Sequence, residues 1–354
     1  ADSPSLSLFD MAMLSSSFYK KKKLNSALSA LNGFKEFSVA LLIFSLFQLG
    51  MGAEGAEHLA KDIRSIVGPT VDDIRIRRLV VRATQIHDSL ESITRFRAEL
   101  MAPFRKLKIA LIVVDFQNDF VTGSLSIKAG PAGEDPRDAI PALNDLLREK
   151  SAHLVVYTLD WHPPNHISFY EHCRNGDRRL SEEDKSRKLK PFDAVRFVEP
   201  EVAQVLYPTH CVQGSWGANL DPLVHVVKDA HFIRKGQKVL VDSYSAFQDN
   251  EREQKTSLED LLRENGVNAV IGCGLAYEIC VAATLKDSAH LGFFTAVVAD
   301  ASKGLDNEKI RETNEEFYRN KIAVLSAGEA SSALRKDIVP IEWIEKRFDD
   351  LLQD

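Results

Sequence analysis

The sequence predicts an α/β protein. A three-layer α/β/α domain on a six-stranded, mainly parallel, doubly wound sheet is expected over residues 107–354, after a mainly helical extension over residues 1–106. Three observations carry that expectation: six short runs rich in β-branched residues after Leu107, polar segments of helical spacing between most of them, and a different texture before Leu107. A chain of 354 residues can bury a sizeable core without disulfide staples.

The runs, in order, are "IALIVVDF", "HLVVYTLD", "AHFIRKG", "NAVIGCG", "FFTAVVAD" and "KIAVLS". Such runs alternating with helices are the rhythm of a parallel sheet. Between the first two, Ile140, Leu143 and Leu147 share one face of "DAIPALNDLLREK"; between the fourth and fifth, Val281, Leu285 and Ala289 do so in "EICVAATLKDSAHLG". Residues 170–206 interrupt the rhythm with "RNGDRRLSEEDKSRKLK", a charged stretch expected to be a surface insertion.

In the extension, "GAEHLAKDIRSIV" and "DSLESITRFRAELMAPF" are expected as helices. Upstream, Lys20 to Lys23 precede an apolar run from Phe37 to Met51 that is broken by Ser38, Ser45, Gln48 and Gly50. It falls short of the roughly 18 apolar residues of a membrane span, so a buried helix is expected. A signal or anchor segment is the alternative, since lysines, an apolar core and the small residues of "GMGAEGA" follow in order; it would make the protein secreted or membrane-anchored. The expected location is otherwise the cytoplasm, with the nucleus also open.

The formal charge of -6 argues against a nucleic-acid partner, because no basic surface is broad enough to track phosphates. Four cysteines, Cys173, Cys211, Cys273 and Cys280, are sparse and form no CxxC pair, so they read as thiols or as chemistry.

In a doubly wound sheet ligands bind beyond the carboxyl ends of the strands, so polar residues just after the apolar runs are the candidates. These are Asp115, Asp160 with His162, Lys235, and the loop "GCGLAYEIC" that leads to Cys280. A thiol at a helix amino terminus is drawn toward the thiolate, whereas the commonest fate of a free cysteine is that of a small buried apolar residue. Lys235 could stabilise a Cys280 thiolate and Asp115 could take its proton, which favours a nucleophile. Gly272 and Gly274 read as turn glycines; Tyr277 stands where a dinucleotide loop needs its third glycine. Backbone N–H groups of this loop would face a developing oxyanion.

Asp160 and His162 are two residues apart in an extended segment and can face one way. With His210 from "YPTHCVQGSWGA" they make two histidines and a carboxylate, a set suited to a catalytic Zn2+, Fe2+ or Mn2+. His166 is either a further ligand or a supporting group. His153, His172, His225, His231 and His290 read as ordinary surface or loop histidines.

Five ordered segments, "DFQNDF", "DWHPPNHISF", "YPTHCVQGSWGA", "RKGQKVLVDSYSAF" and "GLAYEICVAAT", resemble the nicotinamidases of the isochorismatase-like cysteine hydrolases over about residues 107–330. The resemblance implies a catalytic triad of Asp115, Lys235 and Cys280 and metal ligands at Asp160, His162 and His210, with zinc the first expectation. It also implies a cis peptide at Leu275–Ala276, an oxyanion hole from the amides of Ala276 and Cys280, and pocket walls from Phe120, Tyr207 and Tyr244. The implied activity is hydrolysis of nicotinamide to nicotinate and ammonia in NAD salvage, through a cysteine thioester, by a homo-oligomer. Two positions depart from the family pattern: Tyr207 replaces an expected tryptophan, and Ile279 stands where an aromatic often precedes the cysteine. Some animal members carry an EF-hand-like extension; no DxDxDG loop is present here, so no calcium site is expected. The rival expectations are another hydrolase of this fold, acting on an N-carbamoyl compound or an enol ether, and a non-catalytic binding or scaffold protein.

Overall fold

A computed structural model describes residues 53–87 and 89–353. The run Phe37–Met51 and the lysines before it lie outside the described residues. The described part of the extension forms one compact unit of residues 53–65 and 69–101, and residues 66–68 and 102–353 belong to another.

The extension contains helices α1 (Ala53–Ile66), α2 (Asp73–Ile86) and α3 (Leu90–Met101). The first and third fall in the two expected segments. The second was not singled out in the sequence, although Ile76, Leu79, Val80 and Ala83 form a buried stripe at helical spacing and Asp72 caps it by accepting from the Ile74 N–H. Among the described residues no helix is long and apolar enough to cross a membrane.

The larger unit is built on strands β1 (Ile109–Val114), β2 (Leu154–Asp160), β3 (Arg179–Leu180), β4 (Ala194–Glu199), β5 (Glu201–Val205), β6 (His231–Lys235), β7 (Ala269–Leu275), β8 (Phe294–Lys303) and β9 (Ala323–Leu325). The six expected runs form the main sheet, in the order β6-β2-β1-β7-β8-β9. Every pairing in it is parallel. All six residues of β1 are buried, as befits a central strand covered on both faces.

Helices α4 (Ile140–Glu149), α5 (Leu258–Glu264), α6 (Ala282–His290), α7 (Asn307–Arg319), α8 (Ala327–Leu334) and α9 (Ile341–Asp350) flank the sheet. Leu258 and Leu262 of α5, Leu285 of α6 and Phe317 of α7 share one core with Ala110, Ile112 and Val114 of β1. Trp343 of α9 stacks on Phe294 of β8 and donates its indole N–H to the Thr295 carbonyl. The expected stripe Ile140, Leu143 and Leu147 is buried on α4.

Residues 170–206 are more than a charged surface stretch. β3, β4 and β5 pair antiparallel, and Ile167, Leu180, Val195, Phe197, Val202 and Leu206 form a small core beneath them. The alternation of buried and exposed residues along β4 is the signature of a sheet covered on one face, and the lysines and arginines around it masked that pattern.

Chain order along the main sheet reverses between β1 and β7. From β1 the chain moves outward to β2 and then β6, and returns to the other side of β1 with β7. A crevice opens beyond the carboxyl ends at such a switch point. The registers Val114↔Thr158, Val114↔Gly274 and Asp160↔Lys235 bring four strands to an end at that edge. Gly274, at φ +126, lets β7 close on β1, since a side chain there would collide with the Val114 carbonyl.

Candidate active site

Asp115, the first residue after β1, sits at φ 47, a conformation non-glycine residues seldom adopt. The turn is held by Thr158 of β2, whose carbonyl accepts the Asp115 N–H at 3.2 Å and whose hydroxyl donates to Asp115 Oδ1 at 2.6 Å. Lys235 ends β6 and is fully buried. An ammonium has three N–H groups to give, and here they go to Asp160 Oδ1 at 2.5 Å, the Ser243 carbonyl at 2.9 Å and Cys280 Sγ at 3.3 Å. Asp115 Oδ2 lies 2.9 Å from the same nitrogen as an ion pair, but it receives no hydrogen bond. Donor atoms of Asp115, Asp160 and Cys280 all lie within 4.8 Å of one another.

Cys280 lies in a single π-turn, Tyr277–Val281, that leads into α6. Burial pushes its thiol well up, and Lys235 only partly opposes this. Desolvation thus opposes the pull toward the thiolate that a helix terminus and a neighbouring lysine exert. Burial also raises the Asp115 carboxyl, against the pull of Lys235. Burial alone would lower Lys235; Asp115 and Asp160 outweigh it and keep the ammonium charged. Removing one member of such a buried ion network leaves an uncompensated charge, a loss of about 3–5 kcal/mol.

Asp160 faces two ways. Its Oδ1 is held by Lys235, while its Oδ2 lies 3.5 Å from His162 Nε2 and 3.8 Å from His210 Nε2. Those separations suit three ligand atoms around one ion at about 2.0–2.2 Å. His162 Nδ1 bonds the Gly236 carbonyl at 2.9 Å and His210 Nδ1 the Pro208 carbonyl at 2.8 Å. A carbonyl can only accept, so each Nδ1 carries the proton and each Nε2 is left to donate its lone pair to a metal. Burial pushes the His210 imidazole down to about 4, so it is neutral at pH 7. Burial acts on His162 in the same sense, but the Asp160 carboxylate outweighs it and raises that ring. A cation between the rings would take that proton's place. These residues fit a divalent transition metal.

His166 stacks on His162 with centroids 4.0 Å apart. Its Nδ1 bonds Ser168 Oγ at 2.7 Å and its Nε2 the Val241 carbonyl at 3.2 Å. Both nitrogens are engaged, an arrangement that fits a ring supporting His162.

One cavity takes in Cys280 and Ala276 together with Asp160, His162 and His210. The three expected aromatic walls, Phe120, Tyr207 and Tyr244, line it, and the two tyrosine hydroxyls meet at 3.4 Å. Ile279 lines it as well, and the Leu275–Ala276 peptide is cis as expected. Sequence reasoning had not assigned Leu125, Ile127, Leu305 or the buried Asp242, which also face the cavity. It also passed over Gln117 and Asp119, just beyond Asp115 in "DFQND".

A parallel sheet whose switch point holds a buried acid, lysine and cysteine beside an Asp-His-His donor set defines a class of hydrolase-like site. Residues 109–329 match the family model described as Isochorismatase domain, and the chain belongs to that family. Within it, the nicotinamidase of Escherichia coli is 37% identical over 197 residues, covering 56% of this chain and 84% of its own. The solved nicotinamidase/pyrazinamidase of Acinetobacter baumannii is similar at 32% identity and a TM-score of 0.55, over 64% of this chain and 99% of its own. The structure of PnC1 from L. infantum in complex with nicotinate is similar at 30% identity and a TM-score of 0.50, over 62% of this chain and 93% of its own.

Proposed function

We propose that this protein is a nicotinamidase, converting nicotinamide and water to nicotinate and ammonia and so serving NAD salvage. The observation that carries the proposal is the grouping of Asp115 and Lys235 about Cys280, whose side chain lines the cavity that also holds the Asp160, His162 and His210 donors. The naming of similar proteins as nicotinamidases, and a similar structure solved in complex with nicotinate, support the choice of substrate.

Asp115 takes the thiol proton as Cys280 Sγ attacks the carboxamide carbon. Lys235 keeps the departing proton's charge balanced, since its ammonium touches both groups. The backbone amides of Ala276 and Cys280 hold the oxyanion; losing one such donor typically costs about 10²-fold or more in rate. Asp115 then returns its proton to the amide nitrogen, the C–N bond breaks, and ammonia leaves a thioester on Cys280. Water, deprotonated by Asp115, hydrolyses the thioester to nicotinate and restores the thiol. Phe120, Tyr207 and Tyr244 pack the ring. A divalent metal held by Asp160, His162 and His210, zinc first among the options, would supply a Lewis-acidic anchor for the pyridine nitrogen. All four cysteines are free thiols, which supports a reducing compartment such as the cytoplasm.

Ammonia release from nicotinamide by the purified protein, compared with Cys280→Ala, tests this reading. Turnover is expected in the wild type and a loss of at least ~10⁴-fold in the variant. No release by the wild type overturns the function, and undiminished release by the variant overturns the mechanism.

A further inference from the structure

We infer that Gln117 and Asp119 are positioning residues that hold the two arms of the metal site in register with the base, Asp115. The inference rests on the proposed metal site but not on the identity of the substrate. Gln117 is fully buried, and its amide grips the backbone of Asp160 on both sides: Oε1 accepts the Asp160 N–H at 2.8 Å and Nε2 donates to the Asp160 carbonyl at 2.8 Å. The second Nε2 hydrogen goes to the Ala218 carbonyl at 2.9 Å, in the loop that carries His210. One side chain thus ties the carboxylate arm to the histidine arm.

Asp119 works on the histidine arm directly. Its Oδ2 accepts the backbone N–H of Cys211, the residue after His210, at 2.7 Å, and its Oδ1 accepts from the Ser124 N–H at 3.2 Å. Asp119 donates its own backbone N–H to the Gly217 carbonyl. Gly123 and Gly217 leave room for the carboxylate, since a side chain at either would run into it. Residue 115 delivers the base, residue 117 sets Asp160 and residue 119 sets the His210 loop. Neither Gln117 nor Asp119 lines the cavity, so neither needs to touch substrate. Groups that orient ligands in this way typically account for about 10–100-fold in metal affinity.

The test measures Zn2+ affinity of the full chain by competition with a chromophoric chelator, and the visible absorption of the Co2+-loaded protein. Gln117→Ala and Asp119→Ala should each weaken zinc by about 10–100-fold, alter the Co2+ spectrum, and regain turnover as zinc is raised. Asp119→Asn keeps an acceptor toward the Cys211 N–H and should recover most of the loss. Gln117→Met, of similar length but without polar atoms, should behave as Gln117→Ala and covers the case in which the alanine variants fail to fold. Wild-type affinity and spectrum in Gln117→Met and Asp119→Ala would overturn the inference, as would a wild type that binds no zinc. A wild type that binds zinc yet releases no ammonia from nicotinamide would sink the substrate reading alone.

Discussion

Around Cys280, Lys235 gives away all three of its N–H groups and one oxygen of Asp115 is left without a donor; around His210, two imidazoles spend Nδ1 on carbonyls and turn Nε2 toward Asp160. Both regions are buried and both are built from acids and bases. The difference lies in what each leaves unspent. The first groups a carboxylate and an ammonium about a thiol, a set suited to moving a proton. The second turns a carboxylate oxygen and two imidazole nitrogens toward one point, a set that fits a cation. Asp160 belongs to both, with one oxygen on Lys235 and the other between the histidines. Division of labour in this site therefore follows from hydrogen-bond bookkeeping as much as from residue type.

The strongest way to break that comparison is to take away the base at residue 115. In Asp115→Asn the Oδ1 acceptor for the Thr158 hydroxyl survives, but the group can no longer take a proton. Losses of about 10²–10⁴-fold in kcat are expected, the range for a positioned general base, with zinc content unchanged. Steady-state kinetics beside elemental analysis checks both. A variant that loses its metal as well would mean that the two regions act as one.

Removing a donor from the other region should give the complementary result. His210→Ala leaves two of three ligands, and zinc affinity should fall by at least about 100-fold, with catalytic efficiency following. Alkylation of Cys280 by iodoacetamide, measured by mass spectrometry at fixed pH, should stay within a few-fold of wild type, since Lys235 and Asp115 still flank the thiol. Loss of alkylation together with metal would contradict the separation.

Much of this site was legible in the sequence because it is written at strand ends. β-Branched runs marked six strands, and the ends of four of them, with the loop after β7, supplied Asp115, Asp160, Lys235 and Cys280 at the shared carboxyl edge. What stayed hidden depends on long-range contact. Gln117 acts on residues 43 and 101 positions away, and Asp119 on one 92 positions away; nothing local separates such side chains from a strand-end cap. The desolvation of Cys280 stayed hidden for a similar reason. A lysine and a helix terminus can be read from the chain, but the burial that outweighs them is a property of the packed fold. Local composition also hid β4 and β5, where charged neighbours obscured a one-sided apolar alternation.

The smallest effect is expected at His166, where support and ligation can be told apart. His166→Phe keeps a ring to stack on His162 but cannot serve the Ser168 hydroxyl or the Val241 carbonyl. Leaving a buried hydroxyl without its partner costs about 1–3 kcal/mol, so the melting temperature should drop. Zinc affinity should shift by less than about 10-fold, the low end for a group that only steadies a ligand. The relevant comparison is with His210→Ala under the same chelator competition. If His166→Phe weakens zinc as severely as that variant, its Nε2 must swing from the Val241 carbonyl to the ion on loading, and the holding region has a fourth donor. If the stability falls while the affinity barely moves, the ring's work is to keep His162 upright, and three donors define the site.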